Sequence, residues 1–209
     1  MIALDDDCEG ALAEELAGNH MVLWYRTDKG RAEAILRFLR NGADTDEMLA
    51  IILPLHELED TENALITAGF PVERLMSEGR LLLFASEEVI PRNASDCRSV
   101  IEAATGLRDR AAAQGRKLRL IGRVAPLFFE RGDIESALAV ELAPDSSLGQ
   151  ARLLCLYDAR SRERLPEADG QRIDEVHNRI LHETSKGKVT VRNKQRKSPP
   201  RGSGKRKKR

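Results

Sequence analysis

Five short stretches of this chain are apolar almost from end to end, and each runs into a segment whose apolar residues recur at helical spacing. They are "HMVLWY" (20–25), "EMLAIILP" (47–54), "RLLLFAS" (80–86), "KLRLIGRVA" (117–125) and "ARLLCLYDA" (151–159). A strand with one wet face alternates apolar and polar residues, whereas a strand that is apolar throughout must be covered on both sides. Parallel sheets wrapped by helices meet that demand. The pattern therefore predicts a three-layer α/β domain over residues 18–183, with a mostly parallel sheet of about five strands and helices on both faces.

The intervening segments supply the helices. After the first strand, Ala32, Ile35, Leu36 and Leu39 fall on one face, and after the second, Leu58, Leu65 and Ile66 do so until Gly69 stops the turn. A third helix is expected from an N-cap at Ser95, with Cys97, Val100, Ile101, Ala104, Leu107 and Ala111 inward, ending at Gln114-Gly115. A fourth is expected around Asp133–Leu142. The last is expected over Gly170–His182, with Ile173, Val176, Ile180 and Leu181 inward.

Charge divides the chain more sharply than its balanced total suggests. Residues 184–209 carry twelve of the 34 basic side chains and none of the 34 acidic ones, so residues 1–183 hold 22 basic against 34 acidic groups. The body is near −12 and the tail near +12. The tail is poor in apolar residues and rich in Lys, Arg, Pro, Gly and Ser, a composition that cannot offset the entropy of ordering, so residues 184–209 are expected to be disordered. Residues 1–17 read as an acidic helical lead-in carrying Leu12 and Leu16. Acids stand where an export signal needs positive charge, and no apolar run is long enough to span a bilayer, so the expected location is cytoplasmic. Cys8, Cys97 and Cys155 lack C-x-x-C pairing, which argues against a disulfide framework or a zinc site; Cys97 and Cys155 read as small core residues.

In open parallel sheets, ligands sit beyond the carboxyl ends of the strands. After the first strand those positions hold Tyr25, Arg26, Thr27, Asp28, Lys29 and Gly30. A phosphate-cradling loop needs G-x-x-x-x-G-K-[ST], because its glycines let successive N–H groups curl around phosphate oxygens while the Lys and hydroxyl serve the outer phosphates and magnesium. Here one Gly follows the Lys and Arg31 follows the Gly, so the Walker A motif is missing. Glu87 and Asp158 are the acids near strand ends that a magnesium-dependent NTPase would require. A degenerate nucleotide-binding protein remains an alternative on position alone.

With that order laid out, the chain resembles the MEDS family, the methanogen/methylotroph sensory domain of dichloromethane-responsive repressors and some sensor kinases. The resemblance runs through "HMVLWYRTDKGRAEAILRFLRNGADTDEMLAII", "AGFPVERLMSEGRLLLFASEEV", "AAAQGRKLRLIGRVA", "LLCLYDARSRERL" and "EVHNRIL". It implies a RecA/KaiC-like fold without Walker motifs and a sensory role directed at small, hydrocarbon-derived ligands. Two positions depart from the family pattern: Arg123 stands where the family has an acid after the glycine, and "APLFFERG" lacks its tryptophan.

The expected ligand edge comprises Tyr25, Arg26, Thr27, Lys29, His56, Glu87, Arg123 and Asp158. Each also has a plain structural reading: Tyr25 as a rim aromatic, His56 as the polar start of a helix, Arg123 as the partner of Glu141, an acid expected to face inward. His20 is expected to hold a backbone group and His177 to be a hydrogen-bonded core residue. No Ser/His/Asp order, H-E-x-x-H or G-x-S-x-G occurs, so the expectation is a non-catalytic domain without metal or cofactor that binds a small molecule or signalling protein. The alternative is a nucleic-acid-associated adaptor whose tail, including Lys205, Arg206, Lys207, Lys208 and Arg209, holds phosphates without reading sequence; with no aromatic residue in the tail, base stacking is disfavoured.

Overall fold

The computed structural model of the chain describes residues 19–89, 98–147 and 149–192. The acidic lead-in, the Ser95 cap, Cys8, Cys97 and the five basic residues at the end of the tail lie outside them. In chain order the strands are β1 (His20–Tyr25), β2 (Met48–Leu53), β3 (Leu81–Ala85), β4 (Leu118–Gly122), β5 (Arg152–Asp158), β6 (Arg179–Glu183) and β7 (Val189–Arg192). The helices are α1 (Asp28–Asp44), α2 (Leu55–Thr67), α3 (Val72–Ser77), α4 (Ser86–Val89), α5 (Arg98–Ala113), α6 (Val124–Glu130), α7 (Ile134–Ser147), α8 (Ala159–Arg164) and α9 (Glu167–Val176).

The sheet has the order β3-β2-β4-β5-β1-β6-β7, parallel from β3 to β6 and closed on one edge by antiparallel β7. Both faces are covered, as the apolar strands require. Val22, Trp24, Met48, Ala50 and Ile52 pack on one side with Phe128, Phe129, Ala137 and Leu138 of α6 and α7. Met21, Leu23, Leu49, Ile51 and Leu53, the alternate residues of the same strands, pack on the other side with Ile35, Phe38 and Leu39 of α1 and Leu58 and Leu65 of α2. Burying all six residues of β1 and of β2 is the physical meaning of their unbroken apolar sequence. Ile66, expected inward, is half exposed on α2.

Two corrections concern the carboxyl-terminal part. The segment expected as one helix over 170–182 is α9 followed by strand β6, the break falling at His177, whose backbone is extended. Ile180 and Leu181 satisfy either period in so short a run, and in the sheet they enter opposite cores. The expected disordered tail does not begin at 184: Val189 and Val191 alternate with Thr190 and Arg192 in β7, which pairs with β6 from Glu183↔Val189 to Ile180↔Arg192. The hairpin turns at Gly187, whose φ of +74° suits glycine. Among the described residues, no helix is long and apolar enough to cross a membrane.

At the amino end of the sheet, fully buried Arg119 of β4 donates to Glu47 at 2.5 Å, to the Phe38 carbonyl at 3.0 Å and to Asn41 at 2.8 Å. Gly42 makes room for it, since a Cβ there would lie 2.6 Å from the guanidinium stem. Arg152 reaches the other oxygen of Glu47 at 3.1 Å. A charge inside the sandwich is tolerated here because its donors have partners.

Candidate ligand site

The turn after β1 is an anion site filled from within. The Glu183 carboxylate at the end of β6 accepts from the backbone N–H of Arg26 at 2.7 Å and of Thr27 at 2.9 Å, and from the Thr27 hydroxyl at 2.6 Å. Thr27 Oγ1 in turn accepts from the Gly30 N–H at 3.0 Å, capping α1. A Cβ on Gly30 would fall 2.3–2.4 Å from the Glu183 carboxyl atoms. Thus the glycine and the successive N–H donors that would admit a phosphate admit a side-chain carboxylate instead. Burial alone would raise the Glu183 pKa, but the bonds from Thr27 and Arg26 outweigh it and lower the value below the usual carboxylate range.

The other residues expected at this edge are largely engaged with the chain itself. Tyr25 is buried, with the guanidinium groups of Arg31 and Arg123 5.5 and 5.8 Å from its ring centre. Both arginines pair with buried Glu57, and Arg123 also bonds Glu130 at 2.5 Å. The expected partnership of Arg123 with Glu141 is therefore not made; α2 and α6 present carboxylates at the strand end, nearer than α7. Asp158 caps α8, accepting from the backbone N–H and guanidinium of Arg160. Glu87 accepts from the Leu55 N–H at 3.1 Å. Arg26 pairs with exposed Glu163, while Lys29 and His56 are about three-quarters exposed. The structure brings Tyr25 to Arg123 and joins Arg26 to Thr27 through Glu183, but it does not assemble the eight residues into one pocket.

A different cluster lies inside the domain, on the face covered by α6, α7 and α9. The helix "IESALAVELA" is apolar nearly all round, and its Glu141 is 2% exposed between the sheet and its neighbours. His20 Nε2 donates to Glu141 Oε2 at 3.0 Å, the Cys155 thiol donates to the same oxygen at 3.1 Å, and the Tyr157 hydroxyl donates to Oε1 at 2.7 Å. His177 Nε2 is 3.3 Å from Oε2 without hydrogen-bond geometry, while its Nδ1 donates to the Ile173 carbonyl at 2.7 Å. The two imidazole rings lie 4.2 Å apart. Strand geometry explains the gathering: His20, Val22 and Trp24 share one face of β1, Cys155 and Tyr157 share that face of adjacent β5, and Val22 is paired with Cys155 in register.

The electrostatics follow from burial and from these contacts. Burial by itself would raise the Glu141 pKa, yet His177 and His20 reverse the effect and hold the group well below the usual range. The Cys155 thiol and Tyr157 hydroxyl are pushed far up, first by burial and then by the Glu141 charge, so both remain protonated donors. Sequence reasoning placed Glu141 inward but gave it the wrong partner, and it assigned His20 to a backbone group and Cys155 to plain packing. The available signal was an acid on the inward face of a largely apolar helix, which must be met by buried donors.

Against this cluster opens an apolar cavity of about 70 Å³ between α5, α6, α7 and the sheet. Ile52, Leu120, Val100, Ala104 and Val140 are among its walls, while Glu141 and Cys155 supply its polar groups.

The comparisons with known proteins follow this architecture. Similar solved structures include the uncharacterized protein PH0321 from Pyrococcus horikoshii in complex with an unknown peptide, 11% identical with a TM-score of 0.63, covering 88% of this chain and 89% of that one. The KaiC-like protein PH0186 from Pyrococcus horikoshii OT3 is 15% identical with a TM-score of 0.59, over 86% and 81% of the two chains. The flagellar accessory protein FlaH from Methanocaldococcus jannaschii is 12% identical with a TM-score of 0.54, over 92% and 86%. These likenesses establish the KaiC-like α/β fold. A search of curated protein sequences found no match. The family profile of the methanogen/methylotroph, DcmR sensory domain matches residues 19–178, from the start of β1 through the cluster histidine at the end of α9. The chain belongs to the MEDS family of sensory domains.

Proposed function

We propose that this chain is a non-catalytic sensory domain that takes a small, largely apolar molecule into the cavity beneath α5, α6 and α7 and passes the binding event to a signalling partner. The observation that carries this reading is the cavity's composition: walls of aliphatic side chains, with the Glu141 carboxylate and Cys155 thiol as polar groups. Such a site rewards burial of a few carbon atoms and uses the polar groups to orient one heteroatom. It also moves the reading away from the strand edge. There the anion-binding groups serve Glu183, and the arginines serve Glu57 and Glu130. A nucleotide would have to displace these internal carboxylates before it gained its own contacts.

The test is a thermal-shift titration of the full chain with small haloalkanes, short alcohols and benzene, beside magnesium-ATP, on the wild type and on Ala104→Phe, which fills the cavity. Saturable stabilisation by at least one apolar probe, lost in Ala104→Phe, is the expected result. Stabilisation by magnesium-ATP that Ala104→Phe leaves intact, with no response to any apolar probe, would overturn the reading.

A further inference from the structure

The ligating atoms of His20, Glu141, Cys155 and His177 all lie within 4.8 Å of one another. We infer that these four side chains form a site for a zinc-type divalent metal ion. The donors come from β1, α7, β5 and the end of α9, which is why no metal-binding spacing is visible along the chain. The separations suit a tetrahedron. Zinc bonds of about 2.0–2.1 Å to nitrogen and about 2.3 Å to sulfur place ligand atoms roughly 3.3–3.6 Å apart. The observed separations are 3.0 Å from His20 to Glu141, 3.1 Å from Cys155 to Glu141, 3.3 Å from His177 to Glu141 and 3.6 Å from Cys155 to His20. The other two pairs, His177 with His20 and with Cys155, lie within 4.8 Å, so completing the coordination sphere takes an inward shift of up to about 1 Å.

The hydrogen bonds point the same way. The Ile173 carbonyl can only accept, so His177 Nδ1 carries a proton and Nε2 is the ring atom turned toward Glu141 Oε2. It lies 3.3 Å from that oxygen in a buried site and has no hydrogen-bond partner there. A cation between the two atoms would engage both. The Nδ1–H···O=C bond also fixes the tautomer and ring orientation, the outer support that metal-bound histidines usually have. His20 Nδ1 has no partner with or without a metal and favours neither state.

Charge and ligand softness select the ion. One thiolate, one carboxylate and two neutral imidazoles around a divalent cation sum to zero, which suits a site from which water is excluded. A mixed sulfur, nitrogen and oxygen set in tetrahedral array fits zinc better than magnesium or calcium, which take oxygen donors. As the metal–sulfur bond forms, the Cys155 thiol proton leaves to solvent; each imidazole binds through Nε2 and keeps one proton on Nδ1, which for His20 means that the Nε2 proton moves to Nδ1 by exchange with solvent, and no electron is transferred. Metal uptake is a separate matter from binding of an apolar molecule in the adjoining cavity, and either can fail without the other.

The experiment loads the chelator-treated full chain with cobalt(II) or zinc(II) and measures metal per chain after dialysis. Wild type is expected to retain one equivalent, with a near-ultraviolet thiolate-to-cobalt band and tetrahedral d–d absorption. Cys155→Ser should lose the thiolate band, and His177→Ala should lose retention; Cys8→Ser, Cys97→Ser and His56→Ala should change neither. Circular dichroism of the metal-free variants separates a lost ligand from a lost fold. Absence of retained metal in folded wild type, or a thiolate band that survives Cys155→Ser, would overturn the proposal.

Discussion

Glu183→Gln is the sharpest probe of how the turn after β1 is held. In the wild type one carboxylate receives two backbone N–H groups and a hydroxyl at 2.6–2.9 Å. Hydrogen bonds to a charged group are worth about 1.5–3 kcal/mol each, and the amide keeps one carbonyl oxygen able to accept, so the net cost of the substitution should be about 2–4 kcal/mol. In a domain of this size each kcal/mol moves Tm by roughly 2–4 °C, which gives a fall of about 4–16 °C in a thermal melt followed by circular dichroism at neutral pH. The pH dependence has a definite sign. The folded pKa of Glu183 is lowered, so its stabilisation is complete above the ordinary carboxylate value and is lost as pH falls through the lowered folded value. The gap between wild type and variant should therefore be widest near neutrality and close in acid. Glu183→Ala adds a further readout, since it leaves the N–H donors, the Thr27 hydroxyl and the opening at Gly30 free for an external anion. Millimolar inorganic phosphate should raise its Tm and leave the wild type unmoved. A Glu183→Gln protein that melts with the wild type at neutral pH, or a gap that persists unchanged in acid, would refute the reasoning.

Gly30→Ala should lower Tm in the wild type, where the new Cβ meets the Glu183 carboxylate at 2.3 Å, and raise it in a Glu183→Ala background, where alanine's helix preference of about 1 kcal/mol acts alone. At the other end of the sheet, Glu47→Ala strips fully buried Arg119 of its carboxylate and should cost about 3–5 kcal/mol in urea unfolding. The double replacement Arg119→Met with Glu47→Leu should cost less than half as much, because it removes the buried charge along with its partner.

The layers of this fold were legible in the sequence because they depend on a local property, the burial of consecutive strand residues on both faces. β1 to β5 and the helices after them carry that pattern directly. β6 did not stand out, since "RILH" fits a helix or a strand equally well over so few residues, and β7 was concealed by the surrounding lysines and arginines. The missing Walker residues were visible, but not what replaced the phosphate: Glu183 is more than 150 residues from the turn it binds. The buried cluster was less legible still. Its contacts join residues as far apart in the chain as Cys155 and Glu141, 14 residues, and Cys155 and His20, 135 residues. Sequence alone could say that Glu141 needed donors, not which of the four histidines would supply them.

The placement of Glu183 bears on why a sheet of this kind keeps its shape without a nucleotide. In a phosphate-binding loop the N–H groups at the end of the first strand and the start of the following helix converge, and their partial positive charges require an anion. Removing the phosphate without compensation would leave those donors turned inward and unmatched, at about 1–3 kcal/mol for each one buried. Here β6 runs parallel to β1 and ends with its carboxylate against that turn, so the hydrogen bonds a phosphate would make are made by the sheet itself. The same logic governs the next strand ends, where Arg31 and Arg123 converge on Glu57. An edge closed by its own ion pairs no longer depends on a charged ligand for stability, and the recognition proposed for this domain rests on the opposite kind of site: an apolar cavity whose few polar groups come from beneath, from Glu141 and Cys155.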